Sequence, residues 1–196
     1  MRKRAFLIFM MGVLLVPCSR GSAEGKAALV ADFDSAEPKD NLGKEIEIWL
    51  REDGSDTTQS AKMSFVTDDA LGNPEGHSLR LDYDVDSPNP AYNGMRMNLN
   101  LFNATPYKRL NFYIKGDSEK GYSNRIKIEL IGMNKRPSPH IFEGVTNEWR
   151  LVSIPLGEFM LIQDWTTLEK FVVVFADIVN NPKVGTIYID HVYFSG

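Results

Sequence analysis

The stretch GTIYIDHVYF, residues 185–194, decides how the chain folds. A glycine opens it, and β-branched and aromatic residues then follow densely enough to read as a β-strand. In strict alternation Ile187, Ile189, His191 and Tyr193 share one side, while Tyr188, Asp190, Val192 and Phe194 share the other. Asp190 therefore stands among large apolar neighbours. A carboxylate withdrawn from water without a partner costs several kcal/mol or surrenders its charge through a raised pKa, so the strand calls for something to meet that charge.

Working outward, runs of the same kind fill the chain: ALVADF, EIEIWL, AKMSFV, HSLRLDYDV, NGMRMNLNL, RLNFYIK, RIKIELI, HIFEGV, WRLVSIPL and KFVVVFA. Turn-rich segments such as DDALGNPEG, DSPNPAY and GMNKRPSP separate them. About eleven strands result, and only GEFMLIQDWTTLEKF carries a weak helical period, enough for one or two turns. The class is all-β, and so many antiparallel strands in a chain of this size close as a jelly-roll β-sandwich of two sheets. Several runs are two-faced. In HSLRLDYDV the leucines, Tyr83 and Val85 oppose Arg80, Asp82 and Asp84, and in RIKIELI the apolar Ile126, Ile128 and Leu130 oppose Arg125, Lys127 and Glu129. KFVVVFA is apolar throughout, which predicts a strand covered on both sides.

Residues 1–23 read as a secretory signal peptide: MRKR is basic, AFLIFMMGVLLVP is apolar but short for a membrane span, and Gly21, Ser22 and Ala23 are small. Residues 24–196 then form a single exported domain, periplasmic or extracellular, with no transmembrane segment. Loss of four basic and no acidic residues moves the formal charge from −4 to −8, which argues against nucleic acid and anionic membranes as partners. Cys18 is the only cysteine, so no disulfide forms. Lipid anchoring through Cys18 would need a small residue before it, and Pro17 disfavours this.

The order of EWRLVSIPLGEF, DWTTLEKFVVVF and GTIYIDHVYF, with ADFD, NLG and YKRLNFYIKGD upstream, resembles the galactose-binding-like β-sandwich domains. Family 11 carbohydrate-binding modules and the complex I intermediate-associated group are among these, and the similarity spans most of residues 28–195. The resemblance implies a structural calcium tying the first strand to the last through Asp34 and Asp190, with Asp32 as an alternative to Asp34. The other reading of Asp190 is a carboxylate at a bulge or strand rim, bonded to backbone amides or to a neighbouring Lys or Arg. The resemblance also places Trp149 and Trp165 at packing positions.

No GxSxG, HExxH, Walker or GxGxxG motif occurs, and the three histidines are isolated, so the expectation is a protein that is not an enzyme. Asp82, Asp84 and Asp86 do not fit a calcium-loop register and read as a solvated strand face. Trp49 shares its face with Glu45, Glu47 and Arg51, and an aromatic ring among charges is what stacking on a sugar requires. Tyr92, Arg96, Asn98, Tyr113, Lys127, Glu129 and His140 are the further ligand candidates. Two functions remain open: a non-catalytic module recognising a glycan through a polar, partly aromatic sheet face, and a cell-envelope structural or assembly factor holding a protein partner.

Overall fold

A computed structural model describes residues 26–51 and 56–196; the expected signal segment at residues 1–23, with Cys18, lies outside the described residues. Eleven strands follow in order: β1 (Ala27–Ala31), β2 (Ile46–Leu50), β3 (Ser60–Val66), β4 (Ser78–Asp84), β5 (Tyr92–Phe102), β6 (Arg109–Gly116), β7 (Arg125–Gly132), β8 (Pro137–Glu143), β9 (Arg150–Pro155), β10 (Leu168–Ala176) and β11 (Val184–Ser195). Within the weakly helical stretch only a 3-10 turn forms, at Leu156–Glu158. One sheet runs β3-β4-β11-β6-β9 with β1 also on β11, and the other runs β2-β5-β10-β7-β8; every pairing is antiparallel.

Alternation explains how the two sheets close on each other. Leu79, Leu81 and Tyr83 of β4, Leu110, Phe112 and Ile114 of β6, and Val152 and Ile154 of β9 face inward from the six-stranded sheet. Met95, Met97 and Leu99 of β5, Phe171, Val173 and Phe175 of β10, and Ile126, Ile128 and Leu130 of β7 meet them from the other. Tyr83 stacks on Phe175 with ring centroids 4.1 Å apart, and Phe112 meets Phe171 edge-on at 5.9 Å. Such rings dominate the energetics of a core, each worth roughly 1.5–3 kcal/mol on burial. The Tyr83 hydroxyl accepts from Ser123 N at 2.9 Å and donates to the Pro182 carbonyl at 3.2 Å, and burial pushes its pKa up to about 12.

Strand β11 departs from strict alternation. Ile187 and Ile189 are buried, and so are Val192 and Phe194, a three-residue step that two-residue alternation forbids. A bulge between Asp190 and Tyr193 absorbs the extra residue, with His191 at φ 48°. The same point hands β11 from one neighbour to another. Residues 184–189 pair with β4 and residues 192–195 with β1, while β6 flanks the other edge. Through this pairing Ala27 lies opposite Ser195, and Gly196 N donates to the Lys26 carbonyl at 2.8 Å.

Candidate functional site

The outer face of the five-stranded sheet gathers most of the polar residues that the sequence singles out. Residues paired across antiparallel strands share a face. The register therefore lays down one row of Glu47, Arg96, Val172 and Glu129 across β2, β5, β10 and β7, and a second of Trp49, Gly94, Val174 and Lys127. Asn98, Lys170 and Ile131 form a third row across β5, β10 and β7. Two concavities open on this face. Glu45, Glu47, Arg96, Asn98 and Lys170 line one, and Trp49, Arg96, Glu129, Ile131, Lys170 and Val172 line the other. Because Arg96 and Lys170 belong to both, they form one trough crossing the strands.

Four of the charges around the trough are matched in pairs. Arg96 donates to Glu47 Oε2 through Nε at 3.0 Å and Nη2 at 2.6 Å, and Lys127 lies 3.1 Å from Glu129. Lys170 has no ion-pair partner among the described residues. Val172 and Val174 form the floor at 4% and 2% exposure, covered by the long side chains around them. That is how the all-apolar β10 comes to be covered on both sides, with core on one and flanking Arg, Lys and Glu stems on the other. At one end Trp49 and Tyr92 sit 6.0 Å apart, centroid to centroid, and the Arg51 guanidinium lies 5.9 Å from the Tyr92 ring. Trp49 is half-buried, and its Nε1 has no hydrogen-bond partner among the described residues. A buried N–H left unpaired costs about 1–3 kcal/mol, so this donor gains from any acceptor that reaches it.

Trp49, Tyr92, Arg96, Asn98, Lys127 and Glu129 thus share one surface. Two expected partners do not join them. Tyr113 lies on β6 in the opposite sheet, and His140 pairs with the core residue Ile128 and turns inward to Phe159, 6.0 Å away. Lys170, Val172 and Ile131 complete the trough and escaped sequence reasoning, because only the cross-strand register reveals that β10 lies between β5 and β7. Trp165 packs against the core as expected. Trp149 does not: Lys115 Nζ sits 5.0 Å from its ring and 4.8 Å from that of Tyr188, and its Nε1 donates to Asp68 Oδ1 at 3.2 Å. Asp68 also pairs with Lys115, anchoring the segment after β3 to the six-stranded sheet.

That anchored segment brings partners to Asp190. Ala70 N donates to Asp190 Oδ2 at 2.7 Å, and the bulge lets His191 N donate to Oδ1 at 2.6 Å. The carboxylate is 1% exposed. Burial pushes its pKa up to about 7, the negative charges of Asp69 and Asp34 add to the rise, and the two N–H bonds oppose it. Asp34 accepts from His77 N at 3.0 Å and Asn73 Nδ2 at 3.4 Å; Asp69 accepts from Leu71 N at 2.7 Å and Asn73 N at 2.9 Å. Asp32 accepts from Asn41 Nδ2 at 2.8 Å and from Asp34 N at 3.2 Å. No group of three or more His, Cys, Asp or Glu side chains comes together closely enough to hold a metal among the described residues.

Solved structures with this fold are known. The chain superposes on the family 11 carbohydrate-binding module of a cellulosomal cellulase of Clostridium thermocellum with a TM-score of 0.62 at 14% identity, covering 87% of this chain and 95% of that one. The Clostridium thermocellum family 11 module in complex with a β-1,3-1,4-mixed-linked tetrasaccharide gives 0.63 at 15% identity, with 89% and 98% covered. An exo-β-agarase matches over 86% of this chain and 25% of its own length, with a TM-score of 0.60 at 11% identity. No curated protein sequence matches significantly. The family model described as carbohydrate binding domain 30 matches residues 41–196, a span that runs from the loop before β2 to the last residue and contains the whole trough, and the chain belongs to that family.

Proposed function

We propose that the trough on the outer face of the five-stranded sheet binds a neutral glycan without cleaving it, in a module exported by the signal segment. The observation that carries this reading is the Trp49–Tyr92 pair at the end of a trough whose Arg96–Glu47 and Lys127–Glu129 charges are already matched. Aromatic faces pack against the apolar C–H faces of a sugar ring, and the paired ionic groups keep lone pairs and N–H bonds for its hydroxyls. A charged ligand that engaged Arg96, Glu47, Lys127 or Glu129 would have to break those pairs first. Of the carboxylates lining the trough, Glu47 and Glu129 are each tied to a cation and Glu45 has no ion-pair partner among the described residues, whereas glycoside hydrolysis canonically uses a pair of carboxyls. The mixed-linked tetrasaccharide bound by the family 11 module is the natural first ligand to try. Titration calorimetry should detect binding by the wild type and a loss of at least about tenfold in Trp49→Ala, which corresponds to 1.4 kcal/mol. No heat with any soluble glucan would defeat the proposal, and release of reducing ends on incubation would defeat its non-catalytic part.

Calcium at Asp190 belongs to the same reading of the family's scaffold. Asp34 and Asp69 both lie within electrostatic reach of Asp190, and none of the three is in an ion pair among the described residues, so their charge suits a hard cation. Asp69, which the sequence did not single out, joins Asp34 and Asp190 in this proposal. Calcium accepts six to eight oxygens, and with fewer than three side-chain ligands in close reach, loop carbonyls and water would supply the remainder. Bound calcium would neutralise this cluster and fasten the loop carrying Ala70 to the β1 and β11 ends. A chelator should lower the melting temperature, and Asp190→Asn should abolish most of that difference. An unchanged melting temperature would refute the site.

A further inference from the structure

Two charged side chains of the trough are left over once its ion pairs have formed. Arg96 is taken by Glu47 and Lys127 by Glu129, while Glu45 and Lys170 make no ion pair and no side-chain hydrogen bond among the described residues. They stand in one row. Ile46 pairs with Met97 and Lys170 with Asn98, so continuing the register of β2 by one residue sets Glu45 opposite Asn98, and Glu45, Asn98 and Lys170 follow one another across the outer face. Their chain neighbours Ile46, Met97 and Phe171 are all buried in the core, as alternation requires. The three line one hollow of about 90 Å³ within the trough.

We propose that Glu45 and Lys170 together read one hydroxyl of the glycan, which accepts from the Lys170 ammonium and donates to the Glu45 carboxylate, and that this bridge restricts the trough to uncharged sugars; the inference rests on reading the trough as a glycan site. Neighbouring strands lie about 4.8 Å apart, so the backbones of Glu45 and Lys170 are roughly 10 Å apart with Asn98 between them. Opposite charges thus face one hollow without closing on each other. Whatever enters between them meets a donor on one side and an acceptor on the other, and a hydroxyl satisfies both at once. An acidic substituent drawn to Lys170 is repelled by Glu45, and a basic one drawn to Glu45 is repelled by Lys170.

The rest of the hollow suits the same guest. Asn98 Oδ1 accepts from Asn100 N at 2.9 Å, which fixes the amide and leaves its NH₂ to donate alongside Lys170. A water molecule takes about 30 Å³ of liquid, so the hollow has room for about three waters, or for a hydroxyl on its arm, and not for a whole sugar ring. The ring itself stays above, where Ile131 and Val172 beside Lys170 offer apolar surface. Hydrogen bonds to ionised groups are roughly twice as strong as those between neutral ones, so a hydroxyl that replaces water at both charges carries more selectivity than the neutral contacts around it.

The test is titration calorimetry on Lys170→Met, which keeps most of the stem that covers Val172, on Glu45→Gln, which keeps the shape, and on the double variant. Three probes are used: the mixed-linked tetrasaccharide, its counterpart with the hydroxymethyl groups oxidised to carboxylates, and a β-1,4-linked glucosamine tetramer at mildly acid pH, where its amines are charged. Each single variant should bind the neutral probe about fivefold to tenfold more weakly than wild type. Because both groups hold the same hydroxyl, the loss in the double variant should fall short of the product of the single losses by about threefold or more. Glu45→Gln should narrow the gap between neutral and carboxylated probes, and Lys170→Met the gap between neutral and aminated ones, neither variant doing both. Thermal melts matching wild type show that the exposed positions leave the fold alone. Wild-type affinity in both single variants, losses that multiply, or an unchanged charge preference in both, while Trp49→Ala still weakens binding, overturns the bridge and leaves the trough standing. No heat from wild type with any probe overturns both.

Discussion

Lowering the pH of the chelated protein should stabilise it, and Asp190 is the reason. The carboxyl has a pKa of about 7 in the folded chain against 3.8 when free in solution, because it is buried beside Asp69 and Asp34. For an acid whose folded pKa is raised, the stabilising contribution is complete below the unfolded value and is lost as pH rises through the folded one. At pH 8 the native state holds a charge that the unfolded chain would give to water, at a cost of roughly 4 kcal/mol. Linkage between these two pKa values leaves roughly 2 kcal/mol of that cost at pH 5.5, so acidification over this range returns about 2 kcal/mol. For a domain of this size that is a rise of about 4–8 °C in melting temperature. Differential scanning calorimetry in excess chelator at the two pH values measures it, with Asp190→Asn as the reference that subtracts the histidines and other titrating groups. The wild type should gain several degrees over the variant on acidification, and saturating calcium should remove the gain by favouring the carboxylate. Parallel pH profiles for the two proteins in chelator would refute the reasoning, since Asp190 would then carry no charge cost.

Three other substitutions probe separate parts of the molecule. Phe171→Ala removes the ring that meets Phe112 across the sandwich and should cost about 3–5 kcal/mol in denaturant melts, whereas an effect below 1 kcal/mol would mean that the sheets are not closed through this pair. Gly94→Ala would drive its methyl into the Val173 carbonyl of β10 and should lower the melting temperature by several degrees; a neutral result would show that β5 can shift away from β10 at that point. Lys115→Met keeps most of the stem over Trp149 and Tyr188 but releases Asp68, so amide exchange should quicken in residues 67–77 with little change in β10. Uniform acceleration across both sheets would show instead that Lys115 supports the whole fold.

The sandwich was legible because its strands are two-faced: wherever apolar residues recur at every second position, as in HSLRLDYDV and RIKIELI, the face assignment carries straight into the core. It fails where a polar residue occupies an inward position or an extra residue enters a strand. In β8 the inward set is Ser138, His140 and Phe142, which is why His140 resembled a surface group. In β11 the bulge turns one face into two half-faces, and Asp190 falls at the break. The six ligand candidates on one face could be found strand by strand. Lys170 could not, since its place in the trough depends on which strands neighbour β10. Asp69 was likewise hidden, because the loop that brings it to Asp190 meets β11 across 120 residues of chain, from Ala70 to Asp190. The structure bears out one part of the expectation for Asp190, which sits at a bulge bonded to backbone amides.

The pairing of Ala27 with Ser195 means that polypeptide entering at the first strand and polypeptide leaving the last depart from one spot. Anything fused at either end would hang the domain like a pendant from a single stem, with its mounting point on the sheet opposite the trough. Because two packed sheets are separated by about 10 Å, a tether of only a few residues would leave the trough unobstructed. The same adjacency makes the chain a good subject for circular permutation: a short linker from Gly196 to Lys26 would close the ring, and new ends cut in an exposed turn should leave the sandwich and its trough intact.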